Sequence, residues 1–239
     1  MRLDRLLSQA AGLSRNEARK LIKSGLVSLH GAIISDVAAQ VEEGSQLSLE
    51  GRPLSTQLAC HLMMNKPVGL LTAARDSRQE TVMALLPERL HKLRCMPVGR
   101  LDKDSAGLLL FTTDGELAHR LLAPQRKVTK EYRALVSGRL DDSARAAFAQ
   151  GIALKDFTAL PAELVILRRD AGQSEALVRL QEGKHRQVRR MFQALGHEVT
   201  ALSRLAFGPL RLDERLQPGD WRELSEDEVA QLKEAVKLG

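Results

Sequence analysis

Apolar positions along the first fifty residues recur at helical spacing and then change period. Leu3 to about Ala11 is predicted to be a helix ending at Gly12, and Ser14-Arg15-Asn16-Glu17 has the spacing of a capping box. The helix it opens runs toward Gly25, with Ala18, Leu21 and Ile22 on one face and Arg15, Arg19 and Lys23, four apart, on another. Beyond Gly25, Leu26–Leu29, Ile33-Ile34 and Leu47–Leu49 read as short strands, with His30-Gly31 as a turn. Gly51 to Gln57 is predicted to be a linker. A small unit over 1–54 and a larger one over 60–239 are therefore expected.

The larger part mixes strand and helix signals. Leu62–Met64 leads into Asn65-Lys66-Pro67-Val68-Gly69-Leu70-Leu71, a strand-turn-strand pattern. Gly107–Thr112 is short and nearly all apolar, as a buried strand would be, and a helix over Glu116–Leu122 follows Asp114-Gly115. Val178–Leu180 is a further strand, and His185–Leu195 is a predicted helix stopped by Gly196.

Composition narrows the class. Hydrophobic residues make up 44% of the 239, which excludes wholesale disorder and suffices for a core without a metal or disulfide. No apolar run approaches the roughly 18 residues of a bilayer span, so no membrane partner is expected. The N-terminal stretch interleaves charge with apolar residues, unlike a signal peptide, and Cys60 and Cys95 lie far apart without a metal-ligand pattern. A cytoplasmic protein with reduced thiols and no metal is the expectation.

Charge points to a polyanion. From Asp213 to Gly239 eight acids face four bases, which leaves +10 on the rest of a chain whose total is +6. Bases cluster in Met1–Lys23, Arg120–Arg133 and Lys184–Arg190. Aromatic residues are only 3%, too few for recognition by a broad stacking platform.

The segment RLDRLLSQAAGLSRNEARKLIKSGLVSLHG resembles the S4-type RNA-binding domain, or alpha-L motif, over about residues 1–50. The resemblance implies that the face of Arg15, Arg19 and Lys23 meets RNA phosphates. His30 stands where the family often has asparagine in a tight turn, a conformation that histidine tolerates less well.

Asp102 lies between Arg100 and Lys103 ahead of the buried strand. A carboxylate held at a sugar or ring carbon away from water is an effective nucleophile, but on these residues alone a surface Asp in a loop ion pair is the better reading. Three ordered strings bear on that choice: Met64–Gly69, Gly99–Leu109 (GRLDKDSAGLL) and Gly183–Phe192 (GKHRQVRRMF). They resemble the motifs of the RsuA-type pseudouridine synthases, and Lys130-Glu131-Tyr132 matches that family's K-x-Y step. The implied architecture is α+β, a small N-terminal S4-type domain linked to a mixed, mainly antiparallel-sheet synthase domain.

This family converts uridine in RNA to pseudouridine without cofactor or metal. Its resemblance makes Asp102 the nucleophile, adding to the base or assisting removal of a ribose proton. Tyr132 would stack on the flipped uracil, and Arg189 would pair with the catalytic carboxylate. Arg100, Lys184, Arg186 and Arg190 are expected phosphate contacts. The expected partner is ribosomal RNA or a small-subunit assembly particle, bound by a monomer. Ala159–Ile166 and the short segment after the core favour the small-subunit subgroup, whose target is uridine 516 of 16S rRNA. Gly183–Gln187 is closer to large-subunit relatives, which act on 23S rRNA. A non-catalytic RNA-binding assembly protein is the other reading, whereas a synthetase fragment lacks its HIGH- and KMSKS-like strings.

Overall fold

The computed structural model describes residues 1–170 and 172–238. Packing divides them into two units, one of Met1–Cys60 with Leu86–Met96 and Thr112–Asp114, the other of the intervening segments and all that follows Gly115. Among the described residues no helix is long and apolar enough to cross a membrane.

In the first unit, α1 (Leu3–Ala11) stops at left-handed Gly12, and α2 (Arg15–Lys23) opens with the capping box. Ser14 N donates to Glu17 Oε2 at 2.8 Å, and Glu17 N to Ser14 Oγ at 3.2 Å. The two helices bury Leu3, Leu6, Leu7, Ala18 and Ile22 against Val27 and Leu47, each large side chain contributing on the order of 1.5–3 kcal/mol. Strands β1 (Val27–Leu29), β2 (Ala32–Ile33), β3 (Leu47–Leu49) and β4 (Arg52–Leu54) form a sheet in the order β2-β1-β3-β4. His30 and Gly31 both take left-handed φ, 49° and 83°, so the histidine does adopt the conformation that a two-residue hairpin turn requires. The predicted linker is instead a hairpin: β4 pairs antiparallel with β3 around Glu50-Gly51.

The same unit includes α3 (Glu88–Lys92), whose Lys92 Nζ donates to Gly12 O at 2.5 Å, while Arg89 donates to Gln57 O at 3.0 Å. Cys60 and Cys95, remote in sequence, are buried side by side with Sγ atoms 3.2 Å apart.

Asp4 is wholly buried and receives hydrogen bonds from Arg2, Arg15 and Arg19, the last two at 3.0 and 2.8 Å. Burial alone would raise its pKa, but the three guanidiniums hold it well below the usual carboxylate range. Two of the arginines expected to meet phosphate are thus oriented by an internal carboxylate, with their side chains still about half exposed.

The second unit begins with β5 (His61–Lys66), returns through β6 (Met96–Pro97), and continues with β7 (Ala106–Thr112) and α4 (Gly115–Leu122). It goes on through β8 (Lys130–Ser137), α5 (Asp142–Gln150), β9 (Glu163–Arg169), β10 (Gln173–Leu180), α6 (Gln187–Ala194) and β11 (Val199–Phe207). The last elements are β12 (Leu210–Arg211), β13 (Trp221–Glu223) and α7 (Glu226–Ala235). The main sheet runs β13-β5-β7-β11-β8-β10-β9. Its β7–β11 pair is parallel, and the β13–β5, β11–β8, β8–β10 and β10–β9 pairs are antiparallel. The mixed, mainly antiparallel sheet is as expected. Helices α5 and α6 cover one end, with Phe148 and Phe192 rings 4.9 Å apart, and α4 and α7 cover the other with Leu117, Leu121 and Leu232.

Two local expectations change. No strand follows Pro67: the chain turns there, and Leu71 makes only an isolated bridge to Thr81. The helix predicted from His185 starts at Gln187, because Arg186 is left-handed (φ 50°) and cannot continue a helical turn.

Asp4→Asn removes the charge shared by three guanidiniums. With those arginines half hydrated, the loss falls below the range of about 3–5 kcal/mol for a fully buried ion pair, at about 2–3 kcal/mol, and is read as faster amide exchange in α1 and α2. Because the folded pKa is depressed, this contribution is complete above about pH 4 and fades as pH falls further.

Candidate active site

The loop carrying Asp102 is fixed from the segment that leaves β5. Lys66, wholly buried, donates from Nζ to Pro67 O at 2.9 Å, Asp102 O at 3.2 Å and Ser105 O at 2.9 Å. Three N–H groups thus meet three carbonyls. Thr72 Oγ1 donates to Leu101 O at 2.8 Å and accepts from Leu101 N at 3.2 Å, and Gly69 N donates to Lys103 O at 2.7 Å. This is the physical reason for the Asn65–Gly69 string: it is the brace of the Asp102 loop. Burial drives the Lys66 pKa down to about 8, against the pull of Asp102 and Asp104.

Asp102 opens onto a cleft of about 830 Å³ that Tyr132 also lines. Strand alternation on β8 sends Lys130 and Tyr132 into this cleft and Glu131 away from it, to Arg179 and Arg211. Lys130, Arg204 and Phe207 line it as well, and Ser105 adds a buried hydroxyl without a partner among the described residues. Arg100, Lys127 and Lys184 line the cleft as exposed cations, Lys184 with its Nζ 3.8 Å from the centre of the Phe157 ring.

The arginines of the third string differ from expectation. Arg189 does not pair with Asp102; its guanidinium donates to Val199 O at 2.7 Å and Asp104 O at 2.8 Å and lies 3.4 Å from the Asp104 carboxylate. The cause is local: α6 presents Arg189 to the start of β11 and to the second carboxylate of Asp102-Lys103-Asp104. Arg189 lines a second cleft, of about 860 Å³, with Arg186, Arg190 and His197. Arg186 and Arg190, read as open phosphate contacts, are paired with Asp104 (2.9 Å) and Asp156. Asp104 accordingly has a lowered pKa: burial opposes the shift, and Arg186 and Arg189 bring it about.

Lys66, Lys130 and Arg204 were not singled out as site residues. Lys66 and Lys130 lie within the strings matched above, and Arg204 is marked by being the one charge inside Thr200–Phe207. Among the described residues no group of three metal-ligating side chains is placed to hold an ion.

With a carboxylate, a phenol and desolvated cations around one cleft, the arrangement suits chemistry on a planar, weakly acidic ring. A family model described as RNA pseudouridylate synthase matches residues 61–194, and one described as S4 domain matches residues 1–47. The chain belongs to the RNA pseudouridylate synthases. Ribosomal small subunit pseudouridine synthase A of Vibrio cholerae is 37% identical to this synthase over 97% of its chain and 99% of the relative. Ribosomal large subunit pseudouridine synthase B of Bacillus subtilis is 34% identical, over 100% and 98%. A crystal structure of a pseudouridylate synthase is 31% identical and covers 97% of this chain and 99% of its own, with a TM-score of 0.68. The synthase is of the RsuA type.

Two outcomes test the brace. Lys66→Met frees the Asp102 loop and lowers turnover by about 10²-fold, the penalty of a misplaced reacting group, with affinity for RNA kept. In the wild type, turnover falls as pH rises through about 8, where the neutral amine has two N–H groups for three carbonyls. A rate still rising at pH 9 would exclude the ammonium as the brace.

Gly107 pairs with Arg204 across the parallel β7–β11 junction at φ 98°, and a Cβ there would lie 2.3 Å from Arg204 O and 2.7 Å from Arg204 N. Gly107→Ala therefore separates the two strands beneath the cleft. It is expected to lower the melting temperature by several degrees, for a loss on the order of 2–4 kcal/mol, and to lose activity even below that temperature.

Proposed function

We propose that this synthase isomerises one uridine of 16S ribosomal RNA, uridine 516, during maturation of the small subunit. The supporting observation is the likeness over nearly the full chain to small subunit synthase A, joined to a cleft that Asp102 and Tyr132 line together. Asp102 is the nucleophile, and Tyr132 stacks on the extruded base. Arg189 acts as a positioning residue through Asp104 rather than on the catalytic carboxylate.

Extruding the uridine costs a few kcal/mol, which phosphate contacts offset. Arg15, Arg19 and Lys23 supply them on the N-terminal unit, and Arg100 and Lys184 at the cleft. Arg186 and Arg190 contribute by exchanging a carboxylate partner for a phosphate. The synthase works as a monomer in the cytoplasm on ribosomal RNA or a small-subunit assembly particle, without cofactor or metal.

A second reading has support of its own: large subunit synthase B covers the chain just as fully, which makes 23S rRNA the competing substrate. Mapping pseudouridines in both rRNAs from a deletion strain decides between them. One 16S site is expected to lose its modification, regain it with the wild-type gene, and stay unmodified with Asp102→Asn. Loss confined to 23S rRNA would favour the second reading, and unchanged maps would favour an assembly factor without catalysis.

A further inference from the structure

The chemistry described so far gives no role to two buried cations that line the cleft. Lys130 on β8 and Arg204 on β11 are only 7% and 3% exposed. Lys130 is directly opposite Phe207 in the β8–β11 register, and Arg204 is directly opposite Tyr132. A bulge between Arg204 and Ala206 brings Arg204 and Phe207 to the same side of β11. The Phe207 ring then serves both charges, with Lys130 Nζ 5.4 Å and Arg204 Cζ 5.1 Å from its centre.

Neither cation is in an ion pair among the described residues. Arg204 Nε donates to Leu108 O at 2.7 Å, which anchors the side chain to β7, but one terminal nitrogen is buried without a partner. Burial, followed by the neighbouring Arg204 charge, lowers the Lys130 pKa to about 8. Several partly buried or paired arginines nearby behave differently: Arg186, Arg189 and Arg190 are matched by carboxylates, and Arg179 by Glu131 and Glu163. Two adjacent, desolvated and unmatched positive charges are costly to hold, and a transient negative charge from the substrate would relieve that cost.

The reaction generates such a charge. When the N1–C1′ bond breaks, its electron pair leaves with uracil and spreads over N1, O2 and O4. The pair is returned as C5 bonds to C1′; the C5 proton is then lost and N1 takes one up, so the composition is unchanged. Whether Asp102 adds to the ring or helps draw a ribose proton, negative charge develops on the base. Phosphates are charged before and after reaction and have the exposed cations available.

We propose that Lys130 and Arg204 are catalytic residues that stabilise the negative charge developing on the carbonyl oxygens of the detached uracil. The proposal rests on the base lying beside Tyr132. Uracil is neutral in the ground state, so both cations act on the rate of the bound complex and little on binding.

The test uses the full chain and an rRNA fragment that it modifies. Lys130→Met and Arg204→Met are each expected to lower the single-turnover rate at saturating RNA by about 10²–10³-fold. Kd and its salt dependence should stay at the wild-type values, and Lys130→Arg should recover much of the rate. The Lys130 side chain makes no hydrogen bond among the described residues, so Lys130→Met carries the test if Arg204→Met fails to fold. A weakened Kd with a salt slope reduced by about 0.7–0.9 and an unchanged saturated rate would assign the pair to a phosphate and overturn the proposal. A saturated Lys130→Met rate within threefold of wild type would also overturn it. Asp102→Asn, run in parallel, separates the causes: an active Asp102→Asn protein means that the site itself is misplaced, whereas an inactive one beside a fully active Lys130→Met protein refutes this proposal alone.

Discussion

The ammonium of Lys66 meets the carbonyls of Pro67, Asp102 and Ser105 at 2.9–3.2 Å from a site closed to water. The Asp102 loop has no ladder of its own to define it, and its carbonyls would otherwise compete for solvent. Lys66 converts them into a fixed turn at the end of β5, and the Thr72 hydroxyl clamps both backbone groups of Leu101. A charged donor suits the task because it has three N–H groups to give. The position of Asp102 against Tyr132 and the buried cations follows from that brace and from the close approach of β7 to β11 at Gly107.

Much of the positive charge of this basic chain is organised by internal carboxylates. Asp4 gathers Arg2, Arg15 and Arg19, Glu131 gathers Arg179 and Arg211, and Asp104 takes Arg186 and Arg189. Paired guanidiniums lose less freedom when they meet a phosphate, since their geometry is already set. The unmatched pair, Lys130 and Arg204, lines the same cleft as Asp102 and Tyr132.

Features read correctly from sequence are those governed by neighbours a few residues away. The Ser14–Glu17 box, the stop at Gly12, the apolar stripe of α2 and the run of β7 need only short-range geometry. Other features are ambiguous in the sequence or depend on partners far along the chain. The Glu50-Gly51 hairpin looked like a linker because polar turn residues mark both. Arg189 was assigned to Asp102 because the two recur in one family pattern, but the pairing is decided by where α6 places its side chain, at Asp104. Arg204 gained significance only when the β8–β11 register set it opposite Tyr132.

By itself, then, the sequence determined the local helices and turns and the family with its N-terminal S4 domain. These follow from residue type and spacing, which linear order preserves. Tertiary structure decided which carboxylates the paired arginines meet, how Lys66 fixes the loop, and that two cations are buried without a counter-ion among the described residues. Those outcomes depend on charge, burial and distance between segments as much as 96 residues apart, as with Arg204 and Leu108. Electrostatic energy in a water-poor site varies steeply with both distance and burial, and neither is written in the order of the residues.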